Sequence, residues 1–126
     1  MKTEAALEQE IKFTKALLES IPGFLYVYDE VEKLIKWNKK LEEMTGYTAD
    51  ELSQMTLDKW FEGDDSIRVS NAVKEVFETG YGEVEASLMI KGGGKLLVRI
   101  NGVRLDIAGK TYFTGVGIDL SKQATL

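Results

Sequence analysis

The chain has no cysteine and no histidine, a single proline, and no apolar run near the roughly 20 residues needed to cross a bilayer. Without cysteine there is no disulfide framework, no thiolate metal site and no cysteine nucleophile, which fits a cytoplasmic setting. Without histidine the commonest general base, the commonest metal ligand and the usual proximal ligand of haem are gone, so no metal site is expected. Positive charge is also scarce. Against 21 Asp and Glu stand 16 Lys and Arg, a net charge of -5, which leaves no basic face for nucleic acid. The opening MKTEAALEQE is too charged for a signal peptide, and no membrane contact is expected of this domain.

What is present is an ordinary globular composition. The 126 residues are 44% apolar and 29% charged, enough for one hydrophobic core and too few for two. The most informative stretch is Leu34 to Leu52, LIKWNKKLEEMTGYTADEL. It reads as a strand end, an asparagine, a short helix, a Gly-Tyr break and a second short helix. Asn38 suits the N-cap because its side-chain oxygen can accept an orphan N–H of the first turn. Gly46 suits the C-cap, where a left-handed residue is needed, and Thr48 with Glu51 has capping-box spacing. Helices this short are not stable alone and must lie on something larger.

The remaining chain supplies the support. From Glu4 to Ser20 there is no proline or glycine, and Leu7, Ile11, Thr14 and Leu18 recur at spacings of four and three. This is either a seam that pairs two copies or an amphipathic helix laid on its own domain, since Phe13, Ala16 and Leu17 widen the stripe. Phe24 to Tyr28 and Leu34 to Trp37 read as a hairpin around a polar turn, with alternation placing Ile35 and Trp37 on the buried side. Met55 to Phe61 reads as a helical turn or two. Asp64 or Asp65 is expected to cap a helix from Ser66 to Glu78, whose Val69, Ala72, Val73, Val76 and Phe77 form one face. The period then changes from 3.6 to 2. Glu83 to Ile90, Leu96 to Val103 and Thr111 to Ile118 read as three strands joined by turns at Lys91–Lys95 and Asp106–Lys110.

Candidate chemistry is sparse. Lys91-Gly-Gly-Gly-Lys95 lacks the Ser or Thr of a phosphate loop and sits between strands, so it reads as a hairpin turn. Asp64 and Asp65 are one adjacent pair without further oxygen ligands and read as helix-capping residues rather than a cation site. Gly115 and Gly117 share one face of a strand, which implies close approach of a helix backbone or a ligand. No nucleophile and base pair is visible, and no catalytic residue is assigned.

Two strands, a helical crossover and a three-stranded meander predict an α+β fold with a five-stranded antiparallel sheet and helices on one face. Four pieces of sequence also resemble PAS domains, the sensory modules of bacterial histidine kinases and diguanylate cyclases. They are Pro22-Gly23-Phe24, Trp37-Asn38 followed by Met44-Thr45-Gly46-Tyr47, Asp64-Asp65 before the long helix, and Gly115-Val116-Gly117-Ile118-Asp119-Leu120-Ser121, which is similar to a closing Asp-Ile-Thr signature. The resemblance implies strand order 2-1-5-4-3, with short helices over a core able to hold a small ligand. It divides the chain into a dimerisation helix (1–20), a PAS core (21–122) and the start of a linker to an output domain absent from this chain (123–126). It implies a cavity lined by Tyr26, Tyr28, Ile35, Trp60, Val69, Val73, Leu88, Val98, Phe113, Gly115 and Gly117. Leu7, Ile11, Thr14 and Leu18 would form a homodimer interface, and Asp119 would relay a change through a charged contact with Arg104 or Arg99.

The family's reactive flavin cysteine, its flavin-contacting glutamine near Gly117 and its haem histidine are all missing, so haem and cysteine-linked flavin are disfavoured. Flavin held without a covalent step, a small metabolite and no ligand at all stay open. The rival reading is a cone-shaped enzyme of ketosteroid-isomerase type, with Tyr26 or Tyr28 opposite Asp106 or Asp119. Strand order separates the two.

Overall fold

The computed structural model describes residues 3–123. Helix α1 (Glu4–Ser20) is followed by β1 (Phe24–Asp29), β2 (Leu34–Trp37), α2 (Lys39–Thr45), α3 (Ala49–Leu52), a 3-10 turn (Leu57–Lys59) and α4 (Gly63–Thr79). Strands β3 (Tyr81–Met89), β4 (Lys95–Ile107) and β5 (Lys110–Asp119) and a last 3-10 turn (Leu120–Gln123) complete it. The five strands form one antiparallel sheet in the order β2-β1-β5-β4-β3, which is the expected order and excludes the cone-shaped enzyme. Asp106 and Asp119 confirm that exclusion. The first binds Arg104 and Thr111, the second Ser121, and neither is opposite a tyrosine.

The inner face of the sheet follows the alternation of β1, where Phe24, Tyr26 and Tyr28 are buried. Register carries this face across to Gly117, Gly115 and Phe113 of β5. One expectation fails at β2. The pairing slips by a residue between Val27 and Tyr28, so Tyr26 faces Trp37 but Tyr28 faces Leu34. This bulge turns Leu34 inward, to 1% exposure, and leaves Ile35 exposed at 38%, the reverse of simple alternation. Ile35 is therefore not a cavity residue.

The last hairpin is tighter than the sequence suggested. Ala108 and Gly109 both have positive φ, 51° and 79°, as a two-residue hairpin turn requires. Strand β4 consequently runs on to Ile107 instead of ending near Val103.

Helix α4 lies on the inner face of β3 and β4, where Gly82 stands opposite Gly102. A Cβ on Gly82 would sit 2.6 Å from the Ala72 carbonyl oxygen, so the glycine is what lets the helix settle there. The helix begins at Gly63, and no side chain caps it. Asp65 lies in its first turn, where its charge suits the positive helix end, and accepts from the Ser87 N–H at 3.3 Å and from Arg68. The expected Asp cap is thus a tie between α4 and β3.

The crossover from Asn38 to Phe61 forms a lid, fastened by backbone bonds to both sheet edges. Leu34 donates to Met55 and Leu57 to Glu32 on one side, while Met89 donates to Trp60 and Lys91 to Thr45 on the other. Gly46 takes the left-handed C-cap conformation, φ 80°, and Thr48 and Glu51 form the full capping box. The Thr48 N–H and then the Lys91 ammonium, 2.9 Å away, hold the Glu51 carboxyl below its usual range. Lys91-Gly-Gly-Gly-Lys95 is a hairpin turn that leans on the lid.

Candidate functional site

Between lid, α4 and the inner sheet face lies a cavity of about 50 Å³. That is room for a few water-sized groups, since one needs roughly 10–15 Å³ by this measure. Its sheet wall is aromatic. Tyr28 stacks on Phe113 with ring centroids 5.1 Å apart, Tyr26 meets Phe113 edge-on, and Phe77 of α4 closes on the same ring. Its lid wall comes from Leu41, Leu57, Trp60 and Phe61, and α4 adds Val69, Val73 and Val76.

Three polar tips lie in or behind the walls of this apolar interior. The Tyr26 hydroxyl donates to the Asn101 carbonyl at 2.5 Å. Trp60 is 2% exposed, and its indole N–H has no hydrogen-bond partner among the described residues. The Tyr28 hydroxyl lies against that indole, whose N–H favours its ionised form, although the pair falls short of full hydrogen-bond geometry. Burial pushes both tyrosine hydroxyls far above their ordinary range, and for Tyr28 the neighbouring Tyr26 adds to the effect. Both stay neutral at any physiological pH.

Tyr26 also explains Gly115. In the β4–β5 ladder Ile100 pairs with Gly117 and Val103 with Thr114, but the residues between are not paired. The Asn101 carbonyl leaves the ladder to meet Tyr26, and the Asn101 side-chain oxygen takes its place, accepting from the Val116 N–H at 2.9 Å. A Cβ on Gly115 would lie 1.8 Å from that carbonyl oxygen. Gly117 is covered by the Phe24 ring, 2.0 Å from where its Cβ would be. The close approach inferred from these glycines thus comes from neighbouring strands, not from a helix backbone, and neither residue lines the cavity. Tyr26→Phe, which removes the donor and leaves the carbonyl unpaired, is expected to lower stability by about 1 kcal/mol in denaturant unfolding.

Of the other residues expected at a cavity, Tyr26, Tyr28, Trp60, Val69, Val73, Leu88 and Phe113 line it, while Val98 is fully buried and does not. Sequence reasoning left out Phe24, although strand alternation already put it on the same face as Tyr26. It also left out Leu41, whose place depends on how the lid docks.

The expected charged relay is not formed. Asp119 lies opposite Val98, and its carboxylate accepts from the Ser121 N–H and hydroxyl at 2.9 and 2.6 Å. Arg104 lies opposite Phe113, too far along the strand to reach Asp119; it binds Asp106 and the Phe77 carbonyl, while Arg99 pairs with Glu85 and Glu83. Helix α1 has no buried residue. Leu7, Ile11 and Leu18 of the expected seam are 46%, 66% and 43% exposed, and Thr14 is exposed with them, so the apolar stripe is not laid on its own sheet. Among the described residues no group of acidic side chains could hold a metal ion, and no helix is long and apolar enough to cross a membrane.

A five-stranded sheet in this order, with a lid of short helices over an apolar cavity, is the architecture of a sensory domain of the PAS class. The sequence profile of the PAS domain matches residues 22–122, and the chain belongs to that family. Solved structures agree on the fold. A PAS domain from a two-component sensor histidine kinase aligns with a TM-score of 0.73 at 15% identity, covering 89% of this chain and 97% of that one. A PAS domain from Colwellia psychrerythraea gives 0.78 at 17% identity, covering 90% and 98%. The PAS domain of an HTR-like protein from Haloarcula marismortui gives 0.78 at 19%, covering 92% and 96%. No curated protein matches the chain.

Proposed function

We propose that this chain is the sensory part of a larger signalling protein of the histidine kinase or diguanylate cyclase kind, working in the cytoplasm. It holds a small ligand in its core and performs no catalysis. The observation that carries the reading is the apolar cavity of about 50 Å³ between lid, α4 and the inner sheet face. In this reading residues 21–122 are the sensing core. Residues 1–20 pair two copies through Leu7, Ile11, Thr14 and Leu18, which the exposed stripe of α1 supports. Residues 123–126 begin a linker to an output domain; of these, 124–126 lie outside the described residues. Asp119 would act on that linker by fixing the last turn through Ser121, not through an arginine.

The test is mass spectrometry of molecules released from natively purified protein, wild type beside Val73→Phe, whose larger ring fills the cavity. A small molecule released by the wild type and absent from the variant is expected. If neither releases anything and no neutral small molecule stabilises the wild type, the sensing role falls. Light scattering tests the pairing, and a monomer throughout the micromolar range would sink it.

A further inference from the structure

Resting on the sensing role proposed above, we infer that the core takes a short, wholly apolar molecule, one without charge or hydrogen-bonding group, and that it enters between α4 and β3 at Ala72 and Val84. The make-up of the walls sets the chemistry, and a thin place in them sets the route.

The cavity of about 50 Å³ admits only about four non-hydrogen atoms unless its walls move. Its surface is almost entirely carbon, and the polar groups in or behind it are engaged with protein partners. The Tyr26 hydroxyl donates to the Asn101 carbonyl and is wedged between Gly102 and Gly115, where added Cβ atoms would stand 3.2 and 2.8 Å from its oxygen. The Asn101 side-chain oxygen accepts from Val116. The Trp60 indole nitrogen is sealed from the cavity, with the Tyr28 hydroxyl against it. Among the described residues Glu83 alone brings charge to the lining, and its exposed carboxylate is held by the Tyr81 hydroxyl and Arg99. An ion would be buried here without a counter-charge, and a carbonyl or hydroxyl would give up its water to lie against carbon.

A buried cavity also needs a way in. Outside, an open groove lined by Arg68, Asn71, Glu75 and Arg99 lies between α4 and β3. Ala72 and Val84 line this groove and the cavity alike, so the wall there is one residue thick. Both are only half-buried, and Ala72 has the smallest side chain on its face of α4. The groove beside the lid, at Asp50, Gln54 and Lys59, shares no residue with the cavity.

Isobutene, acetone and acetate have one shape and differ in the properties at issue. Isobutene is neutral without a hydrogen-bonding group, acetone is neutral with an acceptor, and acetate is an anion. The Val73 and Leu88 methyl signals in a proton–carbon correlation spectrum report on the cavity, with Val31, 73% exposed, as the reference. Isobutene is expected to move both signals and to saturate in the millimolar range, since so small a ligand cannot bind tightly. Acetone should bind at least about tenfold more weakly, the effect of a desolvated acceptor left unpaired, and acetate not at all. Val73→Phe, which fills the cavity, should abolish the Leu88 shift.

Rates test the route. Asn71 is exposed and lines the groove but not the cavity, so Asn71→Trp sets a ring over the mouth alone. Entry and exit of isobutene, read from line shapes, should both slow by about threefold to tenfold as the ring swings off its preferred rotamer, with affinity unchanged. Gln54→Trp beside the lid should leave the rates as they are.

Acetone binding as tightly as isobutene, or acetate binding at all, would overturn the apolar class, and a Leu88 shift that persists in Val73→Phe would overturn the site. Rates unchanged by Asn71→Trp, or slowed as much by Gln54→Trp, would overturn the route. If no probe binds while native protein releases a larger molecule, this inference alone fails. If none binds and nothing is released, the sensing role fails with it.

Discussion

Gly115→Ala is expected to destabilise the domain by more than about 3 kcal/mol, at or beyond the top of the usual range for overpacking. The reason is the nature of the obstacle. The new Cβ would lie 1.8 Å from the Asn101 carbonyl oxygen and 2.7 Å from its carbon, both backbone atoms, and 2.8 Å from the Tyr26 hydroxyl. A flexible side chain could turn aside, but here the strand itself must move, and with it the bonds from Tyr26 and Val116 that close the gap in the ladder. For a domain with about 5–15 kcal/mol in hand, the melting temperature should fall by about 12 °C or more. Gly92→Ala is the control. Nothing lies within 4 Å of its Cβ, and only its φ of 94° opposes the change, so about 1–2 kcal/mol is expected. A Gly115 variant no worse than the Gly92 variant in thermal unfolding would mean that Asn101 does not turn inward as described.

Asn38→Ala should cost about 2–4 kcal/mol, more than the roughly 1 kcal/mol of a helix cap. Asn38 occupies the N-cap position of α2 but makes no side-chain cap bond. Its side-chain oxygen accepts from the Leu25 N–H at 2.9 Å, and its side-chain amide donates to the Gly23 carbonyl at 3.2 Å. The side chain therefore extends the β2 edge past the point where the backbone leaves it for the lid. Alanine strands two half-buried backbone groups at the mouth of β1. Aspartate distinguishes this role from capping, since it is as good a cap as asparagine yet sets a carboxylate oxygen against the Gly23 carbonyl. In urea titrations Asn38→Asp should recover less than half of the alanine loss. Full recovery, or an alanine loss near 1 kcal/mol, would return Asn38 to the role of a simple cap.

These two positions mark where the sequence is readable and where it is not. Alternation along β1, β3 and β4 is local and tied to burial, so the inner face follows from it, whereas the strand order is what the resemblance to PAS domains implies. The same holds for Gly46 and for the Thr48–Glu51 box, whose bonds lie within a few residues. The bulge that exchanges Leu34 for Ile35 depends on how two strands slide past each other, and no single residue announces it. Asn38 suits an N-cap by residue type and position, but its actual bonds reach back 13 and 15 residues, which the local sequence does not show. Most of the cavity residues were legible because they are simply the inner face. The surroundings of the buried Trp60 N–H were not, since they depend on atomic geometry that pattern alone cannot show.

One consequence of the strand order is mechanical. Strands β1 and β5 are antiparallel neighbours, and Phe24 pairs with Gly117, so the backbone comes in and goes out side by side, about 5 Å apart. Gly23 already stands so close that a Cβ on it would be 2.3 Å from the Gly117 carbonyl oxygen. Tension across this neck loads the Phe24–Gly117 pair first, then Leu25–Val116, then Tyr26–Gly115, opening the ladder like a zip instead of shearing it. Resistance to a pull is thus set by one residue pair at a time, whereas resistance to heat is set by the whole core at once.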